Sequence, residues 1–172
     1  MRVVLVHGWN GPGEGHWLYW LESDLTKRGV DVVFPTLPNA NLPNRGEWIE
    51  SLKKAVGEEK ELILIGYSLG CVAILRFLEQ SDLVAKKVVL VSGFTSDLGI
   101  SEISDFFKTD FNWPSVLPKS QNFVVINSDN DPYVPLAEGE KLANALGVGL
   151  VVEKNAGHIT ASSGFGPYPR LL

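Results

Sequence analysis

Six short apolar runs constrain this chain more than any other feature. "RVVLVHG" (2–8), "VDVVFP" (30–35), "ELILIGY" (61–67), "KVVLVSG" (87–93), "NFVVINS" (122–128) and "GLVVEK" (149–154) are continuous in Val, Ile and Leu rather than alternating. Successive strand residues point to opposite sides, so a strand buried on one face alternates, and one buried on both faces has no polar side to show. Helical patterns separate the runs. "HWLYWLESDLTKRG" sets Trp17, Leu18, Leu21 and Leu25 on one stripe and ends at Gly29, and "RGEWIESLKKAVG" stops at Gly57 in the same way. "LGCVAILRFLEQ" follows the third run and "PLAEGEKLANALG" the fifth. This alternation predicts βαβ units with right-handed crossovers, a parallel sheet and a three-layer α/β/α sandwich. A chain of 172 residues suits one domain spanning 1–172, with no repeat, low-complexity tract or linker to divide it.

Composition excludes several function classes. A content of 45% hydrophobic and 20% charged residues is that of a globular protein, not a disordered one. The net charge is −5, and basic residues come in isolated pairs such as Lys27-Arg28, Lys53-Lys54 and Lys86-Lys87. Phosphate binding needs clustered cations, so no nucleic acid partner is expected. Cys71 is the sole cysteine, so no internal disulfide can form, and it reads as a small buried filler. The opening "MRVVLVHGWN" carries too short an apolar run for a signal peptide, and no run approaches the ~18 residues of a membrane span. The expectation is a cytoplasmic protein with no membrane association.

Chemistry enters at Gly66-Tyr67-Ser68-Leu69-Gly70, where the third strand meets the next helix. G-x-S-x-G in that context is the pattern of a nucleophile elbow. The turn brings strand and helix backbones close to the residues two before and two after the serine, where a Cβ would collide. Ser68 itself is expected at φ > 0, a strained setting that holds its hydroxyl clear of the sheet.

A serine hydroxyl needs a base, and three histidines are available: His7, His16 and His158. His158, in "NAGHIT" after the last strand, is favoured, because His7 lies where the loop backbone has another duty. For His7 and His16 the plain alternative is hydrogen bonding that orders the loop. The base needs a carboxylate to fix its tautomer. "NSDNDPYVP" offers Asp129 and Asp131, and Asp131 is favoured, leaving Asp129 as a turn residue. An oxyanion hole would use the backbone N–H groups of Leu69, at a helix start, and Trp9, after strand one. A sheet order of 2-1-3-4-5-6 would make strands one and three neighbours at a topological switch point, where ligands bind. The glycines of "HGWNGPGEGHW" fit neither a Walker motif nor G-x-G-x-x-G, so no nucleotide is expected. The histidines are scattered and form no ligand set, so neither metal nor cofactor is expected.

His7-Gly8-Trp9, "GEGHWLYW", "GYSLGC", "NDPYVP", "AGHI" and "SGFGPYP" together resemble the small α/β-hydrolases that include the retinoblastoma-binding serine hydrolase and its YdeN-type bacterial relatives. "TSDLG" and "FNWPSV" fit as well, and the likeness runs along nearly the whole chain. It implies a minimal α/β-hydrolase fold of six parallel strands, with helices on both sides and no full cap domain. It also implies a triad carried onto Ser68, Asp131 and His158. Tyr67 departs from the histidine more usual before the serine. Leu69-x-Cys71-x-Ala73 does not complete L-x-C-x-E, so protein partners stay unassigned.

The expected function is therefore a serine hydrolase for a small-molecule acyl substrate, an ester, thioester or amide. Trp9, Tyr67, Phe94 and Trp113 are candidates for the walls of a shallow site. The long connection 94–121, rich in aromatic rings, is a candidate partial lid. The rival reading is a non-catalytic binding protein that keeps the fold, against which stands the filling of all three triad positions.

Overall fold

The apolar runs become six parallel strands of one sheet. The computed structural model describes residues 1–172. Its strands are β1 (Arg2–Val6), β2 (Asp31–Val33), β3 (Leu62–Tyr67), β4 (Lys87–Val91), β5 (Phe123–Ser128) and β6 (Leu150–Glu153), in the order β2-β1-β3-β4-β5-β6. The helices are α1 (Trp17–Lys27), α2 (Arg45–Val56), α3 (Leu69–Glu79), the single turn α4 (Trp113–Val116) and α5 (Leu136–Leu146). Sheet order and strand direction match the sequence expectation.

Register explains the continuous apolar runs. Val3 pairs with Val32 on one side and Ile63 on the other, so each row across the sheet is apolar throughout. Val4, Val6, Leu64, Leu90 and Val125 enter a cluster of 31 buried residues shared with α2, α3 and α5. Leu5, Ile65, Val89, Val91 and Ile126 point the other way, into a cluster of 13. The second layer is thinner. It is built from α1 through Trp17, Leu18 and Leu21, together with Ile159 and Tyr168 of the C-terminal segment.

The sheet edges depart from the sequence reading. β2 covers three residues, not 30–35, and none of them is fully buried. It pairs with β1 alone, and Pro35 has no N–H with which to continue a ladder. β6 is likewise an edge strand, half-buried throughout. Apolar continuity identifies a strand but does not reveal that it lacks a second partner.

The connection from β4 to β5 is no cap domain. It contains a 3-10 segment, Ser101–Phe107, and α4. Arg76 of α3 ties it down. Arg76 is buried, and its guanidinium donates to the carbonyls of Phe106 (2.8 Å), Thr109 (2.5 Å) and Asp110 (3.2 Å), and to both Glu79 carboxylate oxygens at 3.0 Å. Its charge also lies 3.8 Å from the centre of the Phe111 ring. No helix of the chain is long and apolar enough to cross a membrane.

The rim that matters lies at the C-terminal ends of the strands. From β1 the chain crosses to α1 on one face, and from the adjacent β3 it crosses to α3 on the other. That divergence opens a crevice between the two connections.

Candidate active site

The turn from β3 to α3 is as tight as its glycines require. A Cβ on Gly66 would lie 2.9 Å from the backbone of Cys71, and one on Gly70 would lie 2.6 Å from the His7 carbonyl oxygen. Gly8 is held to the same standard, since its Cβ would meet the Ser68 Cβ at 2.9 Å. Ser68 has φ 53° and ψ −123°, a region that L-residues rarely adopt. Its N–H continues the sheet to the Val91 carbonyl (2.8 Å), and its carbonyl accepts from Cys71 N to begin α3. Both backbone groups are satisfied, so the side chain alone projects from the turn.

Three chain-distant side chains stand in line. His158 Nε2 is 3.1 Å from Ser68 Oγ, and His158 Nδ1 is 2.6 Å from Asp131 Oδ2. The Asp131 side chain is fully buried, and its other oxygen accepts from the N–H groups of Tyr133 (2.9 Å) and Val134 (3.0 Å). A carboxylate at Nδ1 fixes the proton there, which leaves the Nε2 lone pair facing the Ser68 hydroxyl.

The loop carrying His158 is pinned from several directions. Asn155 N donates to Asp129 Oδ1 (2.8 Å), Ala156 N to Ser128 Oγ (3.1 Å) and Gly157 N to Asn130 Oδ1 (2.8 Å). Asp129 thus does bond loop backbone, and it also pairs with Lys154 at 3.1 Å. The Tyr67 hydroxyl donates to the His158 carbonyl at 2.8 Å, and the Trp17 indole donates to the Ile159 carbonyl at 3.0 Å. Burial and the neighbouring Asp131 carboxylate push the Tyr67 phenol far up, so it remains a donor.

The Ser68 hydroxyl opens on a cavity of about 290 Å³ lined by Trp9, Tyr67, Leu69, Phe94, Leu98, Ile100 and Ile103, among others. Trp9 N has no acceptor among the loop hydrogen bonds, and Leu69 N, at the first position of α3, has no intrahelical one. Trp113 does not line this cavity. It stacks on Phe111, ring centres 4.9 Å apart, beside a separate groove around Arg76. The Arg76 guanidinium over Phe111 draws that aromatic pair away from the serine. Of the aromatics in the connection only Phe94 reaches the cavity, and Phe106 packs against Trp48 in the core.

The remaining histidines order the loops. His7 Nδ1 lies 2.8 Å from the Gly8 carbonyl, and its Nε2 accepts from Leu37 N. His16 caps α1, its Nδ1 accepting from Leu18 N at 3.3 Å. Burial, with His158 and His7 nearby, lowers its pKa to about 4. Sequence reasoning passed over Leu98, Ile100, Ile103, Tyr133 and Thr160, all of which line the cavity. The one available signal was an apolar spacing, Leu98-x-Ile100-x-x-Ile103, inside an otherwise polar stretch. Cys71 is buried, donates its thiol to the Val91 carbonyl, and is held far from ionisation by that burial. No group of three or more His, Cys, Asp or Glu side chains is arranged to hold a metal.

A parallel sheet in this order, with a strained serine between β3 and α3, defines the α/β-hydrolase fold. A serine hydrolase family profile matches residues 3–172, and the chain belongs to that family of hydrolases. The Bacillus subtilis (strain 168) protein YdeN is 30% identical over 172 residues, covering 98% of this chain and 90% of its own length. The serine hydrolase RBBP9 of Rattus norvegicus is 26% identical over 163 residues, 91% of this chain and 86% of its own. The crystal structure of the B. subtilis ydeN gene product superposes with a TM-score of 0.92 at 29% identity, covering 99% of this chain and 94% of that one.

Proposed function

We propose that this hydrolase cleaves an ester, thioester or amide through an acyl-enzyme on Ser68. The observation that carries the reading is the unbroken line from buried Asp131 through His158 to Ser68 Oγ, at 2.6 and 3.1 Å. His158 Nε2 takes the hydroxyl proton as Oγ bonds to the acyl carbon. The N–H groups of Trp9 and Leu69 hold the oxyanion. Collapse of the tetrahedral intermediate breaks the bond to the leaving group, which departs with the proton carried by His158. Water then attacks the acyl-enzyme, with His158 again accepting a proton, and Ser68 is regenerated with release of the acid. Asp131 stabilises the imidazolium in both halves. No step calls on a metal or cofactor.

The test is covalent labelling with a small fluorophosphonate, read by mass spectrometry, together with p-nitrophenyl acetate turnover. The expected result is one adduct at Ser68 and a loss of turnover of at least about 10³-fold in Ser68→Ala and His158→Ala. An unlabelled Ser68 in folded protein, or equal turnover by Ser68→Ala, rejects the reading.

A further inference from the structure

The surroundings of Ser68 and His158 divide into two compartments, the outer one richer in hydroxyl side chains. The inner one is the cavity of about 290 Å³, walled by Leu69, Phe94, Leu98, Ile100, Ile103 and Val134. The outer one, of about 450 Å³, is lined by Glu14, Thr160, Ser162 and Ser163 together with the glycine backbones at 13 and 157. Thr160 Oγ1 lies 2.8 Å from Ser162 Oγ and 3.2 Å from Ser163 Oγ, so the hydroxyls form one cluster. Gly13, His16, Tyr133, His158 and Thr160 line both spaces, whereas Ser68 lines only the inner one.

Acyl transfer assigns the two spaces. The nucleophile bonds to the acyl carbon, and the imidazole delivers its proton to the leaving group. The acyl chain therefore extends on the Ser68 side and the leaving group beyond His158. Taking the Ser68 acyl-enzyme reading as its basis, we infer that the substrate joins an apolar acyl group of about six to ten carbons to a polar, hydroxyl-bearing alcohol.

Size and polarity support this class. A dry apolar cavity of roughly 150 Å³ accepts benzene, so one about twice as large accommodates on the order of ten non-hydrogen atoms. At the boundary, His16 Nδ1 accepts from Leu18 N, so its neutral ring carries the remaining hydrogen on Nε2. That buried nitrogen has no partner within the protein. An unmatched buried donor is costly, and this one belongs to a ring that borders both compartments.

The experiment measures kcat/KM for two ester series, 1-glyceryl and n-propyl, with unbranched acyl chains from two to fourteen carbons. Each methylene that enters the cavity is worth up to about fourfold. The expected result is a rise of tenfold or more from two to about eight carbons, a fall beyond ten, and glyceryl esters ahead of propyl esters at every length. Ile100→Trp, which fills the inner cavity, should lower the eight-to-two-carbon ratio at least tenfold. Thr160→Val should shrink the glyceryl-to-propyl ratio about threefold. A profile flat in acyl length, one still rising at fourteen carbons, or a preference for propyl esters overturns the inference. Fluorophosphonate labelling of Ser68 in the same preparation separates the two levels. Labelled enzyme with a flat profile overturns the substrate class alone, whereas unlabelled enzyme overturns the acyl-enzyme reading beneath it.

Discussion

At the scale of single residues, Ser68 shows what the site costs the fold. Its φ of 53° and ψ of −123° place it where glycine is at ease and a side chain is not. The strain is held by the ladder bond to Val91 and by the start of α3, neither of which involves the hydroxyl. Ser68→Ala and Ser68→Gly both remove the hydroxyl, but only glycine relaxes the turn. The relief, on the order of 1–3 kcal/mol, exceeds the ~0.5–1 kcal/mol that glycine loses through its freer unfolded chain. Urea unfolding should therefore find Ser68→Gly more stable than Ser68→Ala by about 1 kcal/mol. A glycine variant no more stable than alanine would show that the turn is not strained. Ser68, Asp131 and His158 were legible because each lies in a loop directly after a strand, where the topology delivers all three to one rim. His16 was not legible as a cavity residue. Its placement depends on capping α1 against Tyr67, with ring centres 4.5 Å apart, and no spacing in the sequence encodes that approach.

At the scale of elements, the connection from β4 to β5 is where sequence reading and structure part most. Its aromatic content suggested a partial lid over the substrate. Of its rings only Phe94 lines the cavity, with Leu98, Ile100 and Ile103, whereas Phe111 and the Trp113 stacked on it are held by Arg76, a residue of another element about which local pattern is silent. A half-buried cluster held by a charge also looks, in sequence, just like a cluster held by a ligand. Arg76 meets three carbonyls, one carboxylate and one ring, a fan that needs the five fixed donors of a guanidinium. Arg76→Lys keeps the charge but leaves buried carbonyls unmatched, at roughly 1–3 kcal/mol for each lost partner. The expected loss is about 2–4 kcal/mol by urea unfolding. The exposed Arg28, paired with Asp24 at 2.6 Å, serves as the control, and Arg28→Lys should change stability by no more than about 0.5 kcal/mol. Equal effects at the two positions would show that Arg76 does not anchor the connection.

At the scale of the whole molecule, loops on both faces of the sheet converge on the site, and their order depends on histidines kept neutral inside. His16 packs against Trp17 and Tyr67, and His7 packs against Phe34 and Trp48. Burial lowers both pKa values, that of His16 from 6.5 to about 4. Between those two values the unfolded chain binds a proton that the folded chain refuses. Unfolding therefore becomes easier as pH falls. The stabilisation is complete above about 6.5, drains away towards 4, and changes no further below that. The carboxylates whose pKa is lowered in the fold, Glu59, Asp105, Asp129 and Glu138, lose their contribution only as pH drops past their ordinary values of 3.8 and 4.5. A fall in stability between pH 6.5 and 5 thus belongs to the buried histidines. Each proton refused sets a limiting slope of about 1.4 kcal/mol per pH unit. His16→Asn retains a side-chain acceptor for Leu18 N, since asparagine is a good N-cap, yet cannot titrate. Urea midpoints taken from pH 7.5 to 5 should decline in the native chain and decline measurably less in His16→Asn. Parallel curves for the two proteins would show that His16 is not held neutral by the fold.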